Sequence, residues 1–176
     1  MRKLLNEELD RLTVEEYKRA EKLPVTVVLD NIRSQNNIGS VFRTADAFLL
    51  EGIRLCGITA TPPHREIHKT ALGATETVPW SYWEHTLDAV ADLKKKGYQI
   101  LAVEQVEDGD SLEQLMASPS QKYAVIFGHE IRGVDQHVVD ISDRCIEIPQ
   151  YGTKHSLNIA VAAGIVIWEI FRQMSL

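Results

Sequence analysis

The chain alternates short continuous apolar runs with longer segments whose apolar positions repeat at helical spacing. Residues 25–30 (VTVVLD), 53–58 (IRLCGI), 98–103 (YQILAV), 123–128 (YAVIFG) and 145–148 (CIEI) read as strands. Runs of this kind suit a parallel sheet covered on both faces. Between them the pattern predicts helices over 39–50 and 85–96. The second has lysines in its last turn and Gly97 just beyond, both favourable there. Residues 61–69 (TPPHREIHK) read as a loop, and 77–80 as a short strand. Thr13 with Glu16, and Ser111 with Gln114, match the capping box that opens a helix. The first of these starts a short helix ending near Pro24. With Leu5, Leu9 and Leu12 at helical spacing, residues 1–24 form an expected helical extension to one domain over 25–176.

The last helix, 156–172, is apolar almost all round, which predicts burial on both faces. Ile159, Val166, Ile170 and Phe171 on one helix exceed what a single core can take. A second subunit is therefore expected against it, with Val166 as an outward residue. Strand–helix alternation of this kind gives the fold class α/β: a mostly parallel sheet with helices on both faces. Ligands in such folds bind beyond the carboxyl ends of the strands.

Length and composition narrow the picture. At 176 residues and 44% hydrophobic, the chain suits one domain with a full core. A net charge of −6, from 19 basic and 25 acidic residues, argues against broad non-specific nucleic-acid binding but leaves room for a local basic site. Cys56 and Cys145 sit in apolar runs with no CxxC, so neither a zinc site nor a disulfide is expected, and the usage fits the cytoplasm. No run of about 18 apolar residues occurs, so no membrane span is expected. The opening MRKLLNEELDR is too charged for a signal peptide.

Three polar segments interrupt the core pattern at strand ends. In the first, residues 31–45 (NIRSQNNIGSVFRTA), Arg43 lies one turn after Gly39 and can face the same cavity as the turn. The bland alternative is a capped turn with a surface arginine. In the second, residues 127–134 (FGHEIRGV), Gly128 permits close backbone approach and places Glu130 at a strand's end. This is neither a P-loop nor GxGxxG. In the third, residues 148–164 (IPQYGTKHSLNIAVAAG), Ser156 is a good N-cap. Asn158 precedes a wholly apolar helix, and a buried Asn there needs partners. Gly164 would allow close helix packing.

Together these segments resemble the SpoU family of RNA 2′-O-ribose methyltransferases, within the SPOUT superfamily. NNIGSVFRTA (36–45), FGHEIRGV (127–134) and the Ile-Pro…Gly…Ser-Leu-Asn of 148–164 look like its three motifs, in order. GATETVP (73–79) resembles its middle segment. The resemblance covers about residues 25–172 and implies a methyltransferase catalytic domain closed by a deep C-terminal trefoil knot. Periodicity does not reveal such a knot, because knots are nearly absent from proteins.

The resemblance implies S-adenosylmethionine bound by three loops, at Val103, Glu104 and Gln105, at Phe127 and Gly128, and at Ile148, Gly152 and Leu157. It implies a homodimer and RNA as partner, either tRNA or rRNA; no metal is expected, because the sulfonium is already an activated electrophile and the sequence offers no Cys/His ligand cluster. It gives Arg43 the role of acting on the 2′-hydroxyl, with a neighbouring phosphate assisting. Asn37, Glu130, Ser156 and Asn158 would orient Arg43 and the RNA, and Glu130 could grip the guanidinium fork. RNA attachment would fall to Arg33, His64, Arg65, Lys69, Arg132 and Lys154, with His68. The chain departs from the family in its short extension and in Ala160 where serine is usual. A catalytically silent RNA-binding protein, or a methyltransferase acting on a base nitrogen, is the alternative.

Overall fold

Six consecutive residues of β1 (Leu23–Asp30), from Val25 onward, are buried. That explains why the strand reads as one apolar run: helices cover it on both sides. A computed structural model describes residues 1–175, and of Asn6 only the backbone. The remaining strands are β2 (Leu50–Cys56), β3 (Trp80–Trp83), β4 (Tyr98–Val103), β5 (Asp110–Ser111), β6 (Lys122–Phe127) and β7 (Arg144–Glu147). They form a seven-stranded sheet in the order β3-β2-β1-β6-β4-β7-β5, with every pairing parallel. The α/β expectation therefore stands, with the sheet parallel throughout.

One face of the sheet carries α1 (Val14–Arg19), α2 (Gln35–Ala47), α3 (Arg65–Ala71), α4 (Ala74–Thr77) and α7 (Ile159–Met174), around Val27, Leu29, Phe42, Ile67 and Ile167. The other carries α5 (Thr86–Lys95) and α6 (Gln136–Asp140), around Val28, Val90, Leu93 and Ala124. Because the strands are parallel, the loops after β1, β4, β6 and β7 leave from one edge of the sheet.

A buried carboxylate ties that edge together. Asp30, 2% exposed, accepts from Asn31 Nδ2 (2.8 Å), Thr86 Oγ1 (2.5 Å) and the backbone N–H of Asp135 (3.1 Å). A buried carboxylate is tolerated when it is hydrogen-bonded in this way.

Several expected elements are corrected. Residues 5–12 give only a 3-10 turn at Asn6–Glu8, and Leu5, Leu9 and Leu12 are exposed; so short a stripe, packed on nothing, does not hold a helix. Thr13 does form its capping box with Glu16, but α1 stops at Arg19 and Pro24 already belongs to β1. Helix α2 begins at Gln35 rather than 39, because the Ser34 side chain accepts from Asn37 N–H (3.3 Å) and caps it. Strand β2 starts at Leu50 rather than 53, and the expected loop 61–69 contains α3, capped by His64. The strand expected over 77–80 is displaced to β3 by α4. Asn158, not Ser156, caps α7, and it is exposed.

The close-packing glycine is Gly39 rather than Gly164. A Cβ at Gly39 would lie 2.0 Å from Thr70 Oγ1 on α3, whereas one at Gly164 meets nothing within 4 Å. Val166 and Ile170 are fully buried in the chain's own core and Ile159 nearly so; the outward apolar residues of α7 are Val161, Ile165 and Trp168. Cys56 is buried and Cys145 half-buried, both free; burial pushes the Cys56 thiol up to about 12, away from nucleophile chemistry. Among the described residues no helix is long and apolar enough to cross a membrane.

Candidate active site

The loop after β6 folds back on itself. His129 and Gly133 exchange backbone hydrogen bonds (3.0 and 2.8 Å), and the His129 ring accepts from Ile131 N–H at 3.0 Å. Two glycines make this closure possible. A Cβ on Gly128 would lie 2.1 Å from Gly133 C and Val134 N, so the close approach foreseen there is made by the chain's own backbone. Gly133 has φ +69°, and a Cβ there would lie 2.0 Å from Glu104 Oε2. Glu104, at the end of β4, accepts from Val134 N–H (2.8 Å) and Gln105 N–H (2.9 Å), which anchors the loop to the sheet.

At the tip of the loop Glu130 reaches the start of α2. Its carboxylate accepts from the backbone N–H groups of Arg33 (3.1 Å) and Ser34 (2.9 Å), and from Asn37 Nδ2 (3.5 Å). An anion there also complements the helix dipole. Burial alone would push the Glu130 carboxyl up. The N–H groups of Ser34, of Glu130 itself and of Arg33, with the Asn37 amide, outweigh that and hold it below its ordinary value. Asn158 Nδ2 donates to Asn37 Oδ1 (3.2 Å), while its own Oδ1 accepts from Ala160 N–H (2.9 Å). One residue from each of the three polar segments thus joins a single hydrogen-bonded chain, Glu130–Asn37–Asn158.

Beside that chain lies a cleft of about 510 Å³ at the carboxyl ends of β4, β6 and β7. Val103, Glu104, Gln105, Phe127, Gly128, Ile148 and Leu157 all line it, as do Glu130, Arg132, Ser156 and Asn158. Gly152 does not; it stands in an exposed loop with nothing within 4 Å of its Cβ position. Further wall residues are His129, His155, Ile159 and Ala162. Ile159 and Ala162 follow from the first turn of α7 once Asn158 is its cap. His129 carried no sequence signal, because its task is to accept backbone hydrogen bonds within its own loop. Gln105 Nε2 donates to His155 O (3.1 Å), which ties the β4 loop to the segment before α7. Among the described residues no cluster of three or more His, Cys, Asp or Glu is placed to hold a metal.

Arg43 does not sit in this cleft, nor is it Glu130's partner. It is exposed, in a separate groove between α2 and α3 with Ser40, Thr44, Phe48, Lys69 and Thr70. The expected ion pair fails because backbone N–H groups already occupy Glu130, and because Arg43 lies six residues beyond Asn37, about 9 Å along the axis. The basic candidates divide. Lys69 shares Arg43's groove, and His64, Arg65 and His68 line a third cleft against Trp80. Arg33 flanks Glu130's site, Arg132 borders the main cleft, and Lys154 is exposed on the loop before α7.

Comparison with known proteins fits this geometry. The SpoU rRNA Methylase family matches residues 24–168. A Staphylococcus saprophyticus protein assigned to the TrmH family of tRNA/rRNA methyltransferases is 29% identical over 160 residues, covering 91% of this chain and 63% of its own length. The chain thus spans 63% of the length of the curated relatives it matches. An AdoMet-bound rRNA methyltransferase from Sinorhizobium meliloti superposes with a TM-score of 0.80 at 26% identity, over 90% of this chain and 60% of its own. The SpoU methyltransferase AviRb from Streptomyces viridochromogenes, in complex with AdoMet, gives 0.74 at 26% identity, over 89% of this chain and 62% of that one. The A. aeolicus TrmH/SpoU tRNA modifying enzyme, 22% identical over 92% of this chain and 82% of its own, shares the fold at a TM-score of 0.81. A family match running from β1 well into α7, on a sheet and cleft of the same kind, makes this chain a member of the SpoU rRNA methylase family.

Proposed function

We propose that this chain methylates a ribose 2′-hydroxyl of tRNA or rRNA, with S-adenosylmethionine held in the cleft beside Glu130 and Asn158. The observation that carries this reading is the Glu130–Asn37–Asn158 chain, drawn from three distant segments and placed at the rim of that cleft. The cleft suits the cofactor. Its volume of about 510 Å³ lies in the range of small-molecule sites. Phe127, Ile148, Leu157 and Ile159 offer apolar walls to a purine ring, and the carboxylates of Glu104, Glu130 and Glu147 set a negative field suited to a sulfonium. Two relatives of known structure hold AdoMet.

When bound, the cofactor supplies a methyl group on a positively charged sulfur, an electrophile that needs no further activation. The protein's task is then the nucleophile. An alcohol must shed its proton as the new bond forms, and a fixed cation lowers the energy of the developing alkoxide. Arg43 is that cation in this reading, offering a planar fork of N–H donors to the developing alkoxide while a neighbouring RNA phosphate takes up the proton. Glu130, Asn37 and Asn158 hold the start of α2 and the start of α7 against each other at the cleft. A ribose hydroxyl is favoured over a base nitrogen that presents a free lone pair, because such a nitrogen sheds no proton as it attacks.

Arg43's groove gives a reason for a homodimer. Phe48 lines that groove and packs on Trp168 and Phe171, with ring centroids 5.8 and 5.0 Å away. Val161, Ile165 and Trp168 continue from there as an exposed apolar face of α7. Faces of this kind mark interaction surfaces. Pairing two copies through it brings Arg43 to the seam, where the partner's cleft completes the site. The loop before α7, tied to β4 by Gln105, is the threaded segment of the family's knot in the same reading.

The test is incubation of total tRNA and rRNA, from cells lacking this gene, with labelled S-adenosylmethionine. Alkaline digestion follows, and a 2′-O-methyl group blocks cleavage at its own nucleotide. Label in alkali-resistant dinucleotides is expected. Label recovered only in mononucleotides as a methylated base would overturn ribose as the target.

A further inference from the structure

A third cleft, of about 540 Å³, opens between α3 and β3. Its apolar part is formed by Pro62, Pro63 and Trp80. Trp80 is half-buried and begins β3, the edge strand, so no further strand covers it. Arg65 and His68, both exposed, stand on its rim. We propose that this cleft is a nucleotide subsite for the RNA strand flanking the methylated ribose, where an unpaired base stacks on Trp80 and its phosphate rests on Arg65 and His68. The proposal rests on the reading of RNA as substrate and adds where a neighbouring nucleotide binds.

Three features favour a nucleotide. An aromatic plane beside cationic side chains is the arrangement by which proteins hold unstacked single-stranded bases. The molecule carries net charge −6, yet α3 sets Arg65 and Lys69 one turn apart on one side of the helix. The cleft also shares helix α3 with the groove of Arg43, the proposed catalytic cation. Lys69 lies one turn after Arg65 on α3 and lines Arg43's groove, so Arg65, Lys69 and Arg43 form a basic track.

That track has a fixed geometry. Gly39 leaves no room for a methyl group between α2 and α3, and Thr70 Oγ1 donates to Asn36 O (3.0 Å). Glu66 sits between Arg65 (4.0 Å) and Lys69 (3.9 Å) at the outer limit of ion pairing. Such exposed pairs are worth little, so a phosphate displaces them readily. Glu76, the acidic group on the rim, can accept from an exocyclic amine of the stacked base.

The test measures binding of bulk tRNA and of fragmented rRNA to four folded variants at two salt concentrations. Trp80→Phe keeps a stacking plane and should stay within about threefold of wild type, whereas Trp80→Leu keeps apolar bulk alone and should weaken binding about tenfold or more. Arg65→Ala with His68→Ala should weaken binding by a similar factor and flatten its salt dependence, which Trp80→Leu should leave unchanged. Glu66→Gln removes the competitor of the phosphate and should tighten binding. Melting temperature and S-adenosylmethionine affinity report the fold of each variant independently. Wild-type affinity in a folded Trp80→Leu protein, or equal losses in the phenylalanine and leucine variants, would overturn the subsite. A wild-type protein that binds S-adenosylmethionine but neither RNA would instead overturn the RNA reading beneath it.

Discussion

The Glu130 carboxylate is held by the backbone of another segment, so its charge state governs how that segment docks. Glu130→Gln keeps the shape but weakens acceptance from Arg33 and Ser34 N–H. For a carboxylate this exposed the expected loss is about 1 kcal/mol near neutral pH. The pH dependence has a definite sign. The folded-state pKa is lowered, so the contribution is fully present above the ordinary carboxylate range and fades as pH falls through the lowered value. Denaturation midpoints of wild type and Glu130→Gln should differ at pH 7 and converge as the pH falls below about 4. A constant difference down to pH 3 would show that the charge is not what docks the loop. Glycine gives a second prediction. Gly128→Ala drives a methyl group into the Gly133–Val134 backbone and should cost both melting temperature and S-adenosylmethionine affinity, while Gly152→Ala, in open space, should cost neither. Calorimetric titration of the two proteins checks this. Sequence reasoning finds Glu130 but pairs it with Arg43, because letters display opposite charges and do not display backbone N–H groups.

Helix α7 shows what a pattern of apolar letters can and cannot fix. The chain is readable where burial is all or nothing: β4 falls on residues 98–103 as expected, and β1, β6 and β7 lie within a few residues of their apolar runs. It is least readable where polar residues belong to helices, as in α3, where Ile67 and Ala71 alone point inward among seven residues. In α7 the difficulty is reversed, since a helix apolar all round has no polar stripe to say which side faces the core. Val166 proves inward and Ile165 outward. The two neighbours therefore make a controlled pair. Val166→Glu puts a charge into the core, costs several kcal/mol, and should leave little folded protein. Ile165→Glu should fold with a near-normal melting temperature and run as a monomer by light scattering. A dimeric Ile165→Glu protein would place the interface elsewhere.

At the scale of the whole molecule, the separation of Arg43 from the cleft decides how many chains make one active site. In the proposed reaction the attacking hydroxyl must come within about 3–3.5 Å of the methyl it takes, so the cation acting on it has to reach the cleft. In its own chain Arg43 faces α3 and Phe48 instead, next to the apolar face through which two copies are proposed to pair. Arg43→Ala and Arg43→Lys should each lose about 100-fold or more in single-turnover rate, the usual scale for a proton-transfer or oxyanion group. Lysine fails to rescue because a point charge does not reproduce the planar fork. Neither change touches the cleft wall, so S-adenosylmethionine affinity should hold. Mixing then separates the two geometries. Ala162→Trp fills the cleft, so that variant keeps Arg43 while losing its own cofactor site. If each site is built from one chain, a mixture of Arg43→Ala and Ala162→Trp subunits contains no complete site. If Arg43 works across the seam, every mixed dimer has one complete site, in which the intact cleft of the first chain faces the intact arginine of the second. Co-refolded subunits should therefore regain methylation that neither variant shows alone, and a mixture as inactive as its parts would return Arg43 to the cleft of its own chain.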